Sequence, residues 1–554
     1  MGEWKLSAGG VVVQELYQSL NAMPAVEDGL YIELVFADQK MVTDVQSTLA
    51  EVLPDAGAIA QSVFGRESDK FIFAHFPAID PSGQEAAVFS FARGLREVVG
   101  AFEANPILMD SLYGAVATGV VTDESLFSIC ETERTNVRPF GWVHPVIKTP
   151  RAWQQTRGSG STVAVIDTGY SSHNELNGVI QSDGQLNLVE GDHDARDRFS
   201  GGFLKHPGHG TLVCSVVASR GNADMEGEVA GPGAVTGAAP AAKVLPIRAI
   251  KSVINFSQRR IPAAIDHAIL QKVDVIAMAL GGATRQGSTE DALRRAVEAG
   301  IVIVCAAGNC WPKVVFPAAY AANGLCTAVA ALTQDLTPWD KSGRGPEVTL
   351  SAPGENVWGA AKNKASDPDN GIRASQGTTL ATSLTAGIAA LWVAKHGGRT
   401  ALRAKAHAAG TTVQAMWVHC ATHGLVKPAI WNGATNLGAG VIDAEKTLNA
   451  PLPLSATGAE AVLSMASRDV GIESNSNLLQ LHLANHHPEA LNELTPELAP
   501  FAGEILWLSH RNGARGRAAE ALGTEAQIRP EPVSVELAAA LSSKAALKAV
   551  AGQF

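Results

Sequence analysis

The chain has 554 residues, 46% hydrophobic and 18% charged, a balance that excludes a disordered chain and predicts a buried core divided among two to four domains. Its net charge of −11 excludes a polyanion-binding role for the molecule as a whole, so no nucleic-acid partner is expected. No run reaches the ~18 apolar residues that span a bilayer, so no membrane partner is expected either.

The first residues carry only the short apolar stretch Val11–Val13 before Gln14 and Glu15, which is too little for a secretory leader. Residues 31–113 predict a small α/β unit. Strands are expected at 31–36, 59–64, 71–76 and 107–113. The apolar spacing of Val42, Val45, Leu49 and Val52, and of Val88, Ala92, Leu95, Val99 and Phe102, predicts helices over 41–53 and 84–102. The resulting order, β-α-β-β-α-β, is that of a split βαβ sandwich. Residues 1–115 are therefore taken as one domain and 116–141, polar and ending near Pro139, as a linker.

From 142 to 449 the chain alternates strand-sized apolar runs with helical segments such as 263–271 and 291–299. That alternation predicts a parallel sheet covered by helices. Residues 450–554 predict a helical extension broken by prolines, in which Val533, Leu537, Leu541 and Ala545 share a face. It is expected to pack on the preceding domain or to bind a partner. The basic stretch Arg511 to Arg517 is read as a solvated loop. Six cysteines, Cys130, Cys214, Cys305, Cys310, Cys326 and Cys420, lack paired spacing. Free buried thiols and a cytoplasmic location are expected.

Four segments carry chemistry. Asp167 ends the apolar run Val163–Ile166, His209 lies in Gly208-His209-Gly210-Thr211, and Asn309 follows Ala306-Ala307-Gly308. The fourth is Gly377-Thr378-Thr379, followed by Leu380 to Gly387. Hydrolysis by a hydroxyl requires the hydroxyl, a base, a carboxylate to orient the base, and oxyanion donors. These segments in this order resemble the subtilisin-like (subtilase) serine peptidases.

The resemblance implies a subtilisin-like parallel sheet flanked by helices, an inhibitory propeptide in residues 1–115, and a triad of Asp167, His209 and Thr379. It also implies an oxyanion donor at Asn309 and a substrate groove between Leu280-Gly281-Gly282 and Ala306-Ala307-Gly308. A peptide or protein substrate is expected, and the chain's own N-terminal domain is expected as a groove ligand. Thr379 departs from the family's Ser, adding a methyl worth roughly 1–3 kcal/mol of crowding. Ser383 stands where the family has Pro, and Ala279 where it has Ser.

Slow peptide hydrolysis is the resulting expectation. A non-catalytic peptide-binding scaffold and a transpeptidase or macrocyclase are the alternatives. No cofactor is expected. His206 and His209 lack a third partner at zinc spacing, and the acidic loop Asp192–Asp197 lacks a recognisable calcium-ligand pattern.

Overall fold

The computed structural model describes residues 8–20, 29–108, 141–199, 206–221, 234–253, 258–282, 284–309, 313–433, 436–455, 474–521 and 532–552. Most of the expected linker, with Cys130 and Cys310, lies outside them.

The N-terminal unit has strands β1 (Leu30–Met41), β2 (Ile59–Ser62), β3 (Ser68–Phe76) and β4 (Glu103–Ile107), in sheet order β2-β3-β1-β4, with every pair antiparallel. Helices Val42–Val52 and Glu85–Val99 complete the expected order. The second helix ends earlier than predicted, at Gly100, whose φ of +68° places it in the left-handed region that closes helices.

The last described strand of this unit is Glu103–Ile107, and the strand expected at 107–113 lies, from residue 109 on, outside the described residues. Pro106 lies within this strand. It sits opposite Ile32 on an edge strand, where a missing N–H costs little. A helix at Ala8–Ser19, not anticipated from the sequence, packs along Glu85–Val99. Its Leu16 leaves no room for a Cβ on Gly94.

The sheet's two faces have different partners. Leu30, Ile32, Leu34 and Phe36 point into a core with the domain's helices. Tyr31, Val35, Phe71 and Phe73 form the opposite face, which meets the larger domain. There the Arg259 guanidinium lies 4.4 Å from the Tyr31 ring, and that of Arg295 lies 4.4 Å from the Phe64 ring. Glu33, fully buried on the same face, accepts the Gly287 and Ser288 amides at 2.8 and 2.9 Å. Its carboxylate thus meets the positive end of helix Gly287–Glu298.

The larger domain is built on seven parallel strands: β5 (Thr162–Asp167), β6 (Leu186–Asn187), β7 (Lys243–Arg248), β8 (Val275–Met278), β9 (Val302–Ala306), β10 (Thr327–Leu332) and β11 (Leu350–Pro353). Their order is β11-β10-β9-β8-β5-β7-β6. Both faces are buried. Val163 and Val165 face helices His209–Ala218 and Thr378–Lys395, whereas Ala164 and Ile166 face Ile261–Leu270 and Gly287–Glu298. The strand order reverses at β5, so a crevice opens beyond its carboxyl end, where such sheets bind ligands.

The C-terminal helices, expected to pack on the preceding domain or to bind a partner, also pack on the N-terminal domain. Leu479, Leu483, Ile505, Trp507, Leu508, Leu537 and Leu547 join the core of the N-terminal domain. The stretch read as a solvated loop continues helix Ala502–Ala521, with Arg511 buried and 5.5 Å from the Trp507 ring. The helix expected across 533–545 is two short helices, Val535–Ala540 and Ala545–Val550. Lys313 of the larger domain bonds His482, His487 and Ser509 at 3.1, 3.0 and 2.9 Å. His486 meets Glu347 at 3.0 Å.

Candidate active site

Asp167 is the last residue of β5, at the reversal point, and is fully buried. Its Oδ1 accepts the Thr168 amide at 2.7 Å and contacts His209 Nδ1 at 2.8 Å. The imidazole's other nitrogen, Nε2, lies 3.2 Å from Thr379 Oγ1. Three side chains remote in sequence therefore form one chain of hydrogen bonds, with a hydroxyl at one end and a buried carboxylate at the other. A carboxylate accepting from Nδ1–H leaves Nε2 with its lone pair toward the hydroxyl, the tautomer a general base needs.

Local backbone explains how His209 gets there. Gly208 has φ +81°, and a Cβ on it would overlap the Lys362 carbonyl. A Cβ on Gly210 would overlap the Gly169 carbonyl. The glycines on either side thus let the start of helix His209–Ala218 press between two strand-end loops. Asp197 fixes the entry by accepting the Gly208 amide at 2.8 Å. Buried Arg248 lies 3.6 Å from Asp197, bonds Glu190 at 2.8 Å and donates to the Thr168 carbonyl. Sequence reasoning missed both as positioning residues, because neither sits in a recognisable motif.

The rest of the acidic loop is neutralised by its own arginines. Arg196 and Arg198 bond Asp194, and Arg198 bonds Asp192 at 3.0 Å. Arg196 holds the Asp194 carboxyl down to about 2. His206 faces Ser252 Oγ at 3.3 Å. Among the described residues no cluster of His, Cys, Asp or Glu is arranged to hold a metal ion.

Asn309 follows β9. Its Oδ1 accepts the Thr378 amide at 2.8 Å and the Thr378 hydroxyl at 2.7 Å. A backbone N–H can only donate, so these bonds identify the oxygen and leave Nδ2 as the free donor end. Thr379 lies in the first turn of helix Thr378–Lys395, where N–H groups lack intrahelical acceptors and the helix end favours negative charge. Ser383 donates its hydroxyl to the Thr379 carbonyl at 2.8 Å, so this departure from the family pattern is absorbed within the helix.

The expected groove segments lie at the ends of β8 and β9. Gly282 exchanges both backbone hydrogen bonds with Phe316, at 2.9 Å each, so its amide is engaged inside the protein. The Ala307 carbonyl accepts from Val315 at 3.1 Å, and the Gly308 carbonyl accepts from Gly343 at 2.7 Å. Ala306 belongs to β9 and pairs with Val329. Leu280 is buried, and Gly281 is half-buried beside Val315.

The Val315 side chain stands between Gly281 and Gly308. It would overlap a Cβ on Gly281 and lie 2.9 Å from one on Gly308. Cys214, in the helix that follows His209, is fully buried. Burial, and then the Asp167 charge, push its thiol well up. The hydroxyl of Thr379, by contrast, faces His209 Nε2.

Residues 158–444, just over half of the chain, match the Subtilase family, Peptidase_S8. The chain belongs to that family. It is similar to the "Major intracellular serine protease" of Bacillus subtilis (strain 168), 32% identical over 228 residues that cover 40% of this chain and 66% of the relative. It is also similar to the "Intracellular serine protease" of Paenibacillus polymyxa, 31% identical over 253 residues covering 44% and 70%. The match thus spans about two thirds of these relatives, and more than half of this chain lies outside it. Among solved structures, MycP1 from Mycobacterium smegmatis aligns with a TM-score of 0.45 and 22% identity, over 58% of this chain and 88% of that one. Cys214, Cys305 and Cys326 are free, buried thiols, and Cys420 is buried.

Proposed function

We propose that the chain is a subtilisin-like endopeptidase whose nucleophile is Thr379. The observation that carries this reading is the 3.2 Å contact between Thr379 Oγ1 and His209 Nε2. The added methyl does not turn the hydroxyl away from the base. Oγ1 attacks the peptide carbonyl carbon while its proton passes to His209 Nε2, and Asp167 stabilises the imidazolium through Nδ1–H. Asn309 Nδ2 and the Thr379 amide donate to the oxyanion. The C–N bond then breaks as His209 returns the proton to the amine. Water, activated by the same imidazole, releases the acyl group from Thr379.

The N-terminal domain is proposed to be an inhibitory, propeptide-like unit. Its docked sheet face and the Glu33 cap on helix Gly287–Glu298 support that reading. Residues 142–449 are the proposed peptidase domain and 450–554 its helical extension. The free thiols support a reducing compartment such as the cytoplasm.

The test is cleavage of a peptide library by the wild type and three variants. Thr379→Ser removes the extra methyl and should raise the rate about 5- to 150-fold. Thr379→Ala and His209→Ala should both fall to background, since the two groups act as one unit. Equal silence of all four proteins would establish the groove as non-catalytic. Ligated products in place of hydrolysed ones would establish a transpeptidase.

A further inference from the structure

The described surface of the N-terminal domain is gripped from two sides. Its sheet face lies on the larger domain through Glu33, Tyr31 and Phe64. Its helical face carries the C-terminal helices. On that face Phe89 packs on Trp507 with ring centroids 5.6 Å apart. Arg93 bonds buried Glu504 at 2.8 Å and Glu536 at 2.9 Å, and its guanidinium lies 4.7 Å from the Phe501 ring. Ser90 adds a 2.8 Å bond to Glu536.

The same C-terminal helices are tied to the larger domain through Lys313 and Glu347. All three units meet at Arg285. This buried guanidinium of the larger domain bonds Glu103 of β4 at 3.2 Å, Asn475 of the C-terminal extension at 3.2 Å, and its own domain's Glu290 at 2.8 Å. Asn475 in turn bonds Glu103 and Asn105 at 2.6 and 2.7 Å.

We infer that the C-terminal helices are a clamp whose partner is the N-terminal domain itself, so that severing the intervening chain leaves that domain bound as a non-covalent subunit. A unit resting only on the sheet face would leave by breaking one interface. Here departure also removes Phe89 from Trp507, strips Arg93 from two carboxylates and opens a shared apolar core. Leaving one member of a buried charge pair unpartnered is the costly step. An inhibitory N-terminal domain held this way is not shed by a single cut, and the C-terminal helices set how long it stays.

The test needs no catalysis, so its outcome is separable from that of the peptidase reading. A sequence-specific protease site is placed within residues 109–140 of the full chain carrying Thr379→Ala. The folded protein is cut and then run on gel filtration and native mass spectrometry. The N-terminal piece should co-elute with the remainder at nanomolar concentration. Stopping the chain at residue 455 should weaken its retention by about 100-fold or more, the scale expected when anchor residues are lost. Should that truncation fail to fold, Trp507→Ala and Glu504→Gln in the full chain replace it, each weakening retention about 10-fold or more. Separation of the N-terminal piece from the cut, otherwise intact protein would overturn the inference. So would retention that is unchanged in the truncated or substituted chains.

Discussion

Replacing Glu33 by Ala should loosen the contact between the N-terminal domain and the peptidase domain. The carboxylate is fully buried and accepts the Gly287 and Ser288 amides and the Ser288 hydroxyl. Loss of a capping acceptor costs about 1–2 kcal/mol. Loss of a charge at a partly buried helix end adds up to about 2 kcal/mol. Burial raises the Glu33 pKa despite these bonds, so the ionised group already bears a desolvation cost that offsets part of its gain. The net expectation is about 1–3 kcal/mol, or about 5- to 150-fold in the dissociation constant of the N-terminal piece from the linker-cut chain. Glu33→Gln keeps one acceptor oxygen but turns an amide donor toward another donor, and should fall between. Glu51→Ala, at an exposed site of the same domain, should change nothing. A Glu33→Ala protein that holds its N-terminal piece as tightly as the wild type would refute the docking account.

In the proposed groove, a side chain entering beside Gly281 and Gly308 would meet Val315, so a small residue before the cut bond is the expected preference. Val315→Gly should raise cleavage after Leu or Phe relative to Ala by about 10- to 200-fold, read from a peptide series varied at that position. His482, His487 and His510 are kept neutral by burial first and by Lys313 second, His510 down at about 4. They face Lys313, His486, Glu347 and Ser509. Their folded pKa values lie below the unfolded ~6.5, so the unfolded chain binds more protons. The stability they contribute is therefore present above about pH 6.5 and lost as pH falls toward 4, seen as a falling thermal midpoint. Lys313→Met should shift that loss to lower stability cost per proton and flatten the profile. A thiol reagent under denaturing, non-reducing conditions should count all six cysteines; four or fewer would contradict the free-thiol reading.

The peptidase fold was legible because its function demands rigid local grammar. Gly208 and Gly210 are dictated by carbonyls pressed against them, and strands buried on both faces read as continuous apolar runs. The segments bearing Asp167, His209, Asn309 and Thr379 therefore announced themselves, and the structure brings the four together. The supporting shell did not. Arg248 and Asp197 matter through contacts the linear pattern does not encode. The C-terminal helices were the least legible. Their apolar faces showed a need for cover, but that the cover is the N-terminal domain depends on pairs more than 400 residues apart, such as Arg93 with Glu504 and Glu536.

Covalent labelling reads the proposed activation of Thr379 by His209 without a peptide substrate. A small fluorophosphonate forms a P–O bond to an activated hydroxyl as the P–F bond breaks and the hydroxyl proton passes to the base. Intact mass and peptide mapping should place one adduct on Thr379 in the wild type. Labelling should be about 5- to 150-fold faster on Thr379→Ser, and absent from His209→Ala and Thr379→Ala. A wild type that never labels at Thr379, beside a Thr379→Ser protein that labels readily, would contradict a nucleophilic Thr379.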